Sequence, residues 1–250
     1  MKRRTLLLGL GGALSAGLRS QTGAADASAD AALAEQLLHT DWPYLARYRD
    51  DDQAIVTGRT PLDAVFLGDS ITLGWLSKDP AFFVSGRVCR GIGGQTTPQM
   101  LLRFRQDVID LQPRVVHIMA GTNDIAGNTG PSTQKMMQDN FLGMAEIATA
   151  NRVQVIFASV LPASDFYWRP GLDTVAAIAA LNVWLKSQAR RLHAGYADYY
   201  TAMSDGAGAM RPGLSYDRVH PTAEGYAVMR PVAEAALAQT AHASAATACK

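Results

Sequence analysis

Along most of this chain, short and almost wholly apolar runs alternate with longer stretches in which apolar residues recur every three to four positions. The short runs cover 63–67 (DAVFL), 87–92 (RVCRGI), 114–120 (RVVHIMA), 154–161 (QVIFASVL) and, more weakly, 195–199. Their length and β-branched content predict strands. Three of them are apolar almost throughout rather than alternating, as strands are when helices cover both faces of a parallel sheet. The longer stretches, 98–111, 132–150 and 174–192, carry apolar stripes at helical spacing, and 223–237 closes the series. Strand and helix in turn predict an α/β fold: a three-layer α/β/α sandwich around a central parallel sheet of about five strands. Upstream, 31–49 has helical spacing broken at Trp42-Pro43, a lead-in helix or two expected beside the main domain. The expected organisation is a lead-in over 28–60, one domain over 61–240 and a flexible tail over 241–250.

The first residues add a different signal. Lys2, Arg3 and Arg4 precede an apolar stretch from Leu6 to Leu18, and Ala25-Asp26-Ala27 fits an A-x-A cleavage site. That is the pattern of an export signal over 1–27, and Arg3-Arg4 gives it a twin-arginine flavour. The stretch is shorter than the roughly 20 residues that span a bilayer. A processed protein without stable membrane insertion, periplasmic or secreted, is the expectation. Export permits a disulfide, and the two cysteines are Cys89 and Cys249. Cys89 lies in an apolar run and reads as a buried free thiol; pairing would need the tail to fold back onto the sheet.

The sequence is 48% hydrophobic and 18% charged, with a formal net charge of +1. No long Lys/Arg run follows the leader, which excludes the basic footprint of a nucleic-acid binder. No His, Cys, Asp or Glu set has convincing metal-ligand spacing. His117 lies inside an apolar run and reads as a core residue. Gly91-Ile92-Gly93-Gly94 fails the dinucleotide fingerprint because Thr96 stands at its third glycine position.

In open parallel sheets, ligands bind beyond the carboxyl ends of the strands. Gly68-Asp69-Ser70, Gly93-Gly94-Gln95 and Gly121-Thr122-Asn123-Asp124 each follow one of the first three runs, so all three blocks should meet at one sheet edge. A serine hydroxyl needs a base to become a nucleophile, and a turn between strand and helix exposes it. Gly68 supplies conformational freedom for such a turn. Alone, G-D-S fits a helix N-cap just as well. Asp217-Arg218-Val219-His220, near the other end of the chain, changes the balance. Its three-residue spacing lets a carboxylate hold one imidazole nitrogen while the other faces the serine. Gly94, Asn123 and the Ser70 N–H could then donate to a carbonyl oxygen as charge gathers on it. Asp69 and Asp124 read as loop supports.

These four blocks, in this order, resemble the SGNH hydrolases, also called GDSL esterases. The resemblance implies a flavodoxin-like sheet and Ser70, Gly94, Asn123 and His220 as the four name-giving residues. It also implies Asp217 as the third member of the triad, and no metal or organic cofactor. Gln95 departs from the acidic residue that many relatives carry after the oxyanion glycine. The loop over 162–171 (PASDFYWRPG) should overhang the same edge. Phe166 and Trp168 could stack on a sugar or wall an acyl pocket, or only pin the loop to the core. With Trp75, which reads as helix packing, this aromatic loop is similar to GDSL acetyl-esterases acting on carbohydrates and to platelet-activating-factor acetylhydrolases. The function expected is therefore a serine esterase for short-acyl esters, acetyl foremost, on a small-molecule or carbohydrate partner. The alternatives are a lysophospholipase or thioesterase for longer chains, or an O-acetyltransferase on the same triad.

Overall fold

The structure, a computed structural model, describes residues 32–33 and 35–248, with side chains described through 241. The leader over 1–27 and Cys249 lie outside the described residues. The chain forms two compact units, one ending at Tyr44 and the other beginning at Leu45. In the first, 35–40 is helical and a turn follows at 42–43, where Trp42-Pro43 interrupts the apolar spacing.

The second unit is built on five parallel strands: β1 (Ala64–Gly68), β2 (Arg87–Gly91), β3 (Val115–Met119), β4 (Gln154–Ala158) and β5 (Gly195–Ala197). Their order across the sheet is β2-β1-β3-β4-β5, the flavodoxin-like arrangement. Each lies within or one residue beyond a run read as a strand. Eight α-helices accompany them: α1 (Arg49–Gly58), α2 (Ser70–Lys78), α3 (Thr97–Phe104), α4 (Thr122–Ala126), α5 (Gln134–Ala150), α6 (Thr174–Arg191), α7 (Tyr199–Met203) and α8 (Ala223–Ala248).

Because strand side chains alternate between faces, each apolar run feeds two cores at once. Val65, Leu67, Val116, Ile118, Val155 and Phe157 pack with Met100, Phe104, Phe141 and Leu181 from α3, α5 and α6. Ala64, Phe66, Val115, Met119, Ile156 and Ala158 pack with Trp75, Tyr199, Tyr226 and Met229 from α2, α7 and α8. These are the three layers expected. Trp75 is fully buried and stacks on Phe82 at 4.5 Å between ring centroids. His117 is buried in the same core, where its Nε2 meets the Tyr199 hydroxyl at 2.8 Å. Burial pushes its imidazole down to about 3, so it stays neutral. Cys89 is a buried free thiol.

Three boundaries differ from the sequence reading. The main unit begins at Leu45 rather than position 61, because α1 is tied into it: Arg90 of β2 donates to Asp52 at 2.6 Å, and the Tyr48 hydroxyl reaches the Gly91 carbonyl. The stretch 98–111 is not one α-helix. α3 passes at Arg105 into a π-turn over Arg105–Ile109. The closing helix runs to Ala248, so most of the expected tail is helical, as its run of alanines favours. Among the described residues, no helix is long and apolar enough to cross a membrane.

Close packing of β2 against the start of α2 sets one sharp requirement. A Cβ on Gly91 would collide with the Leu73 nitrogen and lie 2.8 Å from the Thr72 carbonyl carbon, all of it backbone. Gly91→Ala should therefore cost at least about 3 kcal/mol, the upper end for overpacked sites that cannot relax. Denaturant unfolding checks this; a loss under about 1 kcal/mol would mean α2 shifts freely.

Candidate active site

The sheet order reverses direction between β1 and β3, and there the loops after both strands open a crevice. Ser70, Gly94 and Asn123 follow β1, β2 and β3, so the expected convergence is what the topology produces. Asp69, not Ser70, caps α2: its Oδ1 accepts the Ile71 N–H at 2.9 Å. Ser70 is the first helical residue, with its N–H among those that lack an intrahelical acceptor. Gly68 serves in a way the sequence reading did not give. It is absent from the positive-φ glycines, but a Cβ there would strike Thr72 Oγ1 and approach the Met119 carbonyl to 2.8 Å. Close approach, not left-handed backbone, demands the glycine. Gly94 is the reverse: φ is +75° and a Cβ would meet nothing within 4 Å. Its exposed backbone faces open space, and the neighbouring Gly93 is the one beside Ser70, where an added Cβ would lie 3.9 Å from the Ser70 Cβ.

From the far end of the chain, the loop between Leu214 and Thr222 brings up His220. Ser215 and Pro221 form an antiparallel bridge, Tyr216 N–H donates to His220 O at 3.2 Å, and Val219 anchors the turn in the core. Ser70 Oγ lies 2.9 Å from His220 Nε2, and His220 Nδ1 lies 2.7 Å from Asp217 Oδ2. Asp217 Oδ1 is occupied separately, accepting the N–H groups of His220 at 2.7 Å and Val219 at 3.0 Å. Partial burial pushes the Asp217 carboxyl up, but these hydrogen bonds and the imidazole outweigh it and hold the carboxyl below its usual range. It therefore stays ionised wherever the imidazole can act as a base.

Asn123 is buried at the floor of the crevice. Its Nδ2 donates to the Gln95 carbonyl at 3.0 Å and approaches Asp69 Oδ2 at 3.4 Å. Asp124 accepts the Thr97 N–H at 3.0 Å and the Thr97 hydroxyl at 2.6 Å, which joins the loop after β3 to the start of α3. Both aspartates thus brace loops. The Gln95 side chain is also used: its Oε1 accepts from Arg103 Nε at 2.6 Å. Arg103 is wholly buried and also donates to Asp107 at 2.8 Å and to the Gly68 carbonyl at 3.0 Å. One guanidinium thus ties the carboxyl end of β1 to the loop after β2. The sequence reading missed it, although a charged residue within the apolar stripe of MLLRF was a visible signal.

Asp69 carries a pH signature. Burial pushes its carboxyl up to about 6 from 3.8, against the pull of the Ile71 N–H and of His220. Folding thus favours its protonated form; the stability this lends is whole below about pH 4 and lost as pH rises through about 6. Two pH units correspond to about 3 kcal/mol. Asp69→Asn, which keeps the capping oxygen, should therefore gain stability relative to the parent by up to that amount between pH 4 and pH 7.5. Unfolding curves at the two pH values test this, and a constant difference would contradict it.

Aromatic side chains rim the crevice. Tyr216 stacks on His220 at 5.8 Å, and Trp168 lies 6.5 Å from the same ring. Phe166 is buried in the core and stacks beneath Trp168 at 5.1 Å, so it supports that ring and presents no surface of its own. Of the two aromatics singled out in this loop, only Trp168 reaches the rim; Tyr167 and Tyr216, exposed beside it, were not singled out. Arg218, held at φ +75°, pairs with Asp165 at 2.9 Å and links the aromatic loop to the histidine loop.

A partly buried carboxylate–imidazole–hydroxyl chain at the carboxyl edge of a doubly wound parallel sheet is the layout of a serine hydrolase outside the G-x-S-x-G class. The model of the GDSL-like Lipase/Acylhydrolase family matches residues 66–228, and the chain belongs to that family of ester hydrolases. A Bacteroides fragilis protein described as a candidate acylhydrolase is 42% identical, with a TM-score of 0.76 over 80% of this chain and 98% of its own. A GDSL-like lipase from Bacteroides thetaiotaomicron is 39% identical, with the same TM-score over 80% of this chain and 99% of its own. An uncharacterized lipoprotein of Bacillus subtilis, YqeF, is 32% identical over 112 residues; the match covers 43% of this chain and 46% of that protein.

Proposed function

We propose that the protein is a serine esterase that removes short acyl groups, acetyl foremost, from carbohydrate esters. The observation that carries this reading is the unbroken Ser70–His220–Asp217 chain, with links of 2.9 and 2.7 Å. Ser70 Oγ attacks the ester carbonyl carbon as its proton passes to His220 Nε2. The oxyanion that forms is held by the N–H groups of Ser70 and Gly94 and by Asn123 Nδ2. The carbon–oxygen bond to the alcohol breaks and the departing oxygen takes the proton from Nε2. Water then attacks the acyl-enzyme, again giving its proton to Nε2; the acid leaves and Ser70 regains its hydrogen.

The sugar preference rests on Trp168 and Tyr216, whose rings lie beside His220, and on Tyr167, which packs edge-on against Trp168 at 4.9 Å; all three offer apolar faces with polar edges. The short-acyl preference rests on the two rings set against His220, Tyr216 at 5.8 Å and Trp168 at 6.5 Å. A p-nitrophenyl ester series tests both together with an acetylated oligosaccharide. Acetate should give the highest kcat/KM and the oligosaccharide should be deacetylated. Esters of eight carbons or more outrunning acetate would favour a lysophospholipase or thioesterase, and acyl transfer to an added sugar would favour a transferase.

Asn123→Ala should lower kcat by about 10²–10³ with KM within a few-fold, the signature of a donor used in the transition state. Steady-state kinetics on p-nitrophenyl acetate measure it; an unchanged kcat would remove Asn123 from the oxyanion hole. We also place the protein outside the cytoplasm, on the basic-apolar-small pattern of residues 1–27 and its partial likeness to a lipoprotein. Fractionation of its producing cells tests that, since recovery of the protein in the cytoplasmic fraction would contradict it.

A further inference from the structure

Around Asn123 runs a hydrogen-bond chain that no catalytic step requires. Trp168 Nε1 donates to Asn128 Oδ1 at 3.0 Å, Asn128 Nδ2 donates to Asn123 Oδ1 at 2.7 Å, and Asn123 Nδ2 donates to the Gln95 carbonyl at 3.0 Å. Its two ends allow one direction only. An indole N–H can donate and never accept, and a backbone carbonyl can accept and never donate. Between those ends, each amide must turn its oxygen toward Trp168 and its nitrogen toward Gln95. A reversed Asn123 would set its oxygen against the Gln95 oxygen and its NH₂ against that of Asn128.

We infer that Asn128, oriented by the Trp168 indole, is a positioning residue that fixes which end of the Asn123 amide faces the substrate oxygen. The inference rests on the esterase reading and adds to it a source for the polarity of the oxyanion hole. The need is chemical: with its oxygen turned inward, Asn123 would repel the oxyanion it is meant to hold. Asn128 is well placed for the task, because its backbone N–H also donates to the Asn123 carbonyl, at 3.0 Å, so the two residues are clamped twice. The aromatic loop is clamped in turn, since Arg169 Nε donates to the Ala126 carbonyl at 2.8 Å. A rim ring and the floor of the hole are therefore joined in one rigid path.

The test is a double-mutant cycle on p-nitrophenyl acetate. Asn128→Asp keeps the acceptor for Trp168 but turns an oxygen, not an NH₂, toward Asn123. It should lower kcat about ten- to fiftyfold, less than loss of the Asn123 donor itself, with KM within twofold. Trp168→Phe keeps an aromatic face but removes the N–H together with the five-membered ring that carries it, and should lower kcat about three- to tenfold; it also serves if Asn128→Asp folds poorly. In an Asn123→Ala background, both effects should vanish. Losses that persist there undiminished would show a role unconnected with Asn123 and overturn the inference. A parent enzyme inert toward both the ester and a serine-reactive phosphonate would instead bring down the esterase reading beneath it.

Discussion

Replacing Ser70 with alanine is expected to lower kcat/KM by about 10⁵–10⁶, the size of effect seen when a nucleophile acting in concert with its base is removed. The fold should hardly notice. Ser70 is the first residue of α2 and Asp69 is its cap, so the helix keeps its capping bond. What is lost is one partly buried hydrogen bond to His220, worth about 1 kcal/mol, so Tm should move by no more than about 3 °C. Kinetics and thermal unfolding on the same sample separate the two readouts. Retained turnover would remove Ser70 from the chemistry, and a collapsed Tm would make the kinetic result uninformative about it.

Asp217→Asn should cost about 10⁴ in kcat while leaving the loop in place. The magnitude follows from which oxygen does what. Oδ1 accepts two backbone N–H groups and Oδ2 faces the imidazole. In the variant the two N–H groups still require an oxygen, so the amide nitrogen must turn toward His220. That forces Nδ1 to accept and moves the ring proton to Nε2, where it blocks the very lone pair that should take the Ser70 proton. Asp217→Ala leaves Nδ1 unpaired instead, without dictating a tautomer, and should be the less damaging of the two. Equal or inverted kcat values would contradict this, equal ones pointing to the charge that both variants remove rather than to tautomer and orientation.

Much of this was legible in the sequence, and the reason lies in how β-strands bury themselves. Runs such as DAVFL and QVIFA are apolar on both faces because two cores need them, and that made strand positions and the parallel sheet readable without coordinates. The blocks after β1, β2 and β3 follow from the same rule, since a parallel sheet sends all its carboxyl ends to one edge. What stayed hidden depended on contacts distant in sequence. α1 was not read as a helix of the main unit because its tie is Asp52 to Arg90, thirty-eight positions away, and RDDDQAIVTG has little apolar stripe of its own. Gly68 was assigned the wrong reason, since only the folded chain puts Thr72 and Met119 against it. Phe166 and Trp168 are two residues apart and could not be sorted into buried and rim without knowing which way the loop turns. Asn128 sits in a run, G-N-T-G, that reads as plain turn chemistry; its role depends on an indole forty residues on.

The proposed chemistry depends on one hydroxyl made reactive by one imidazole, and a covalent trap addresses that most directly. The protein is treated with a fluorophosphonate, digested, and its peptides are mapped by mass spectrometry. The account predicts a single adduct on Ser70, formed in step with loss of esterase activity, and suppressed when His220 is replaced by alanine. An adduct on any other side chain, or equal labelling of Ser70 with and without His220, would contradict it.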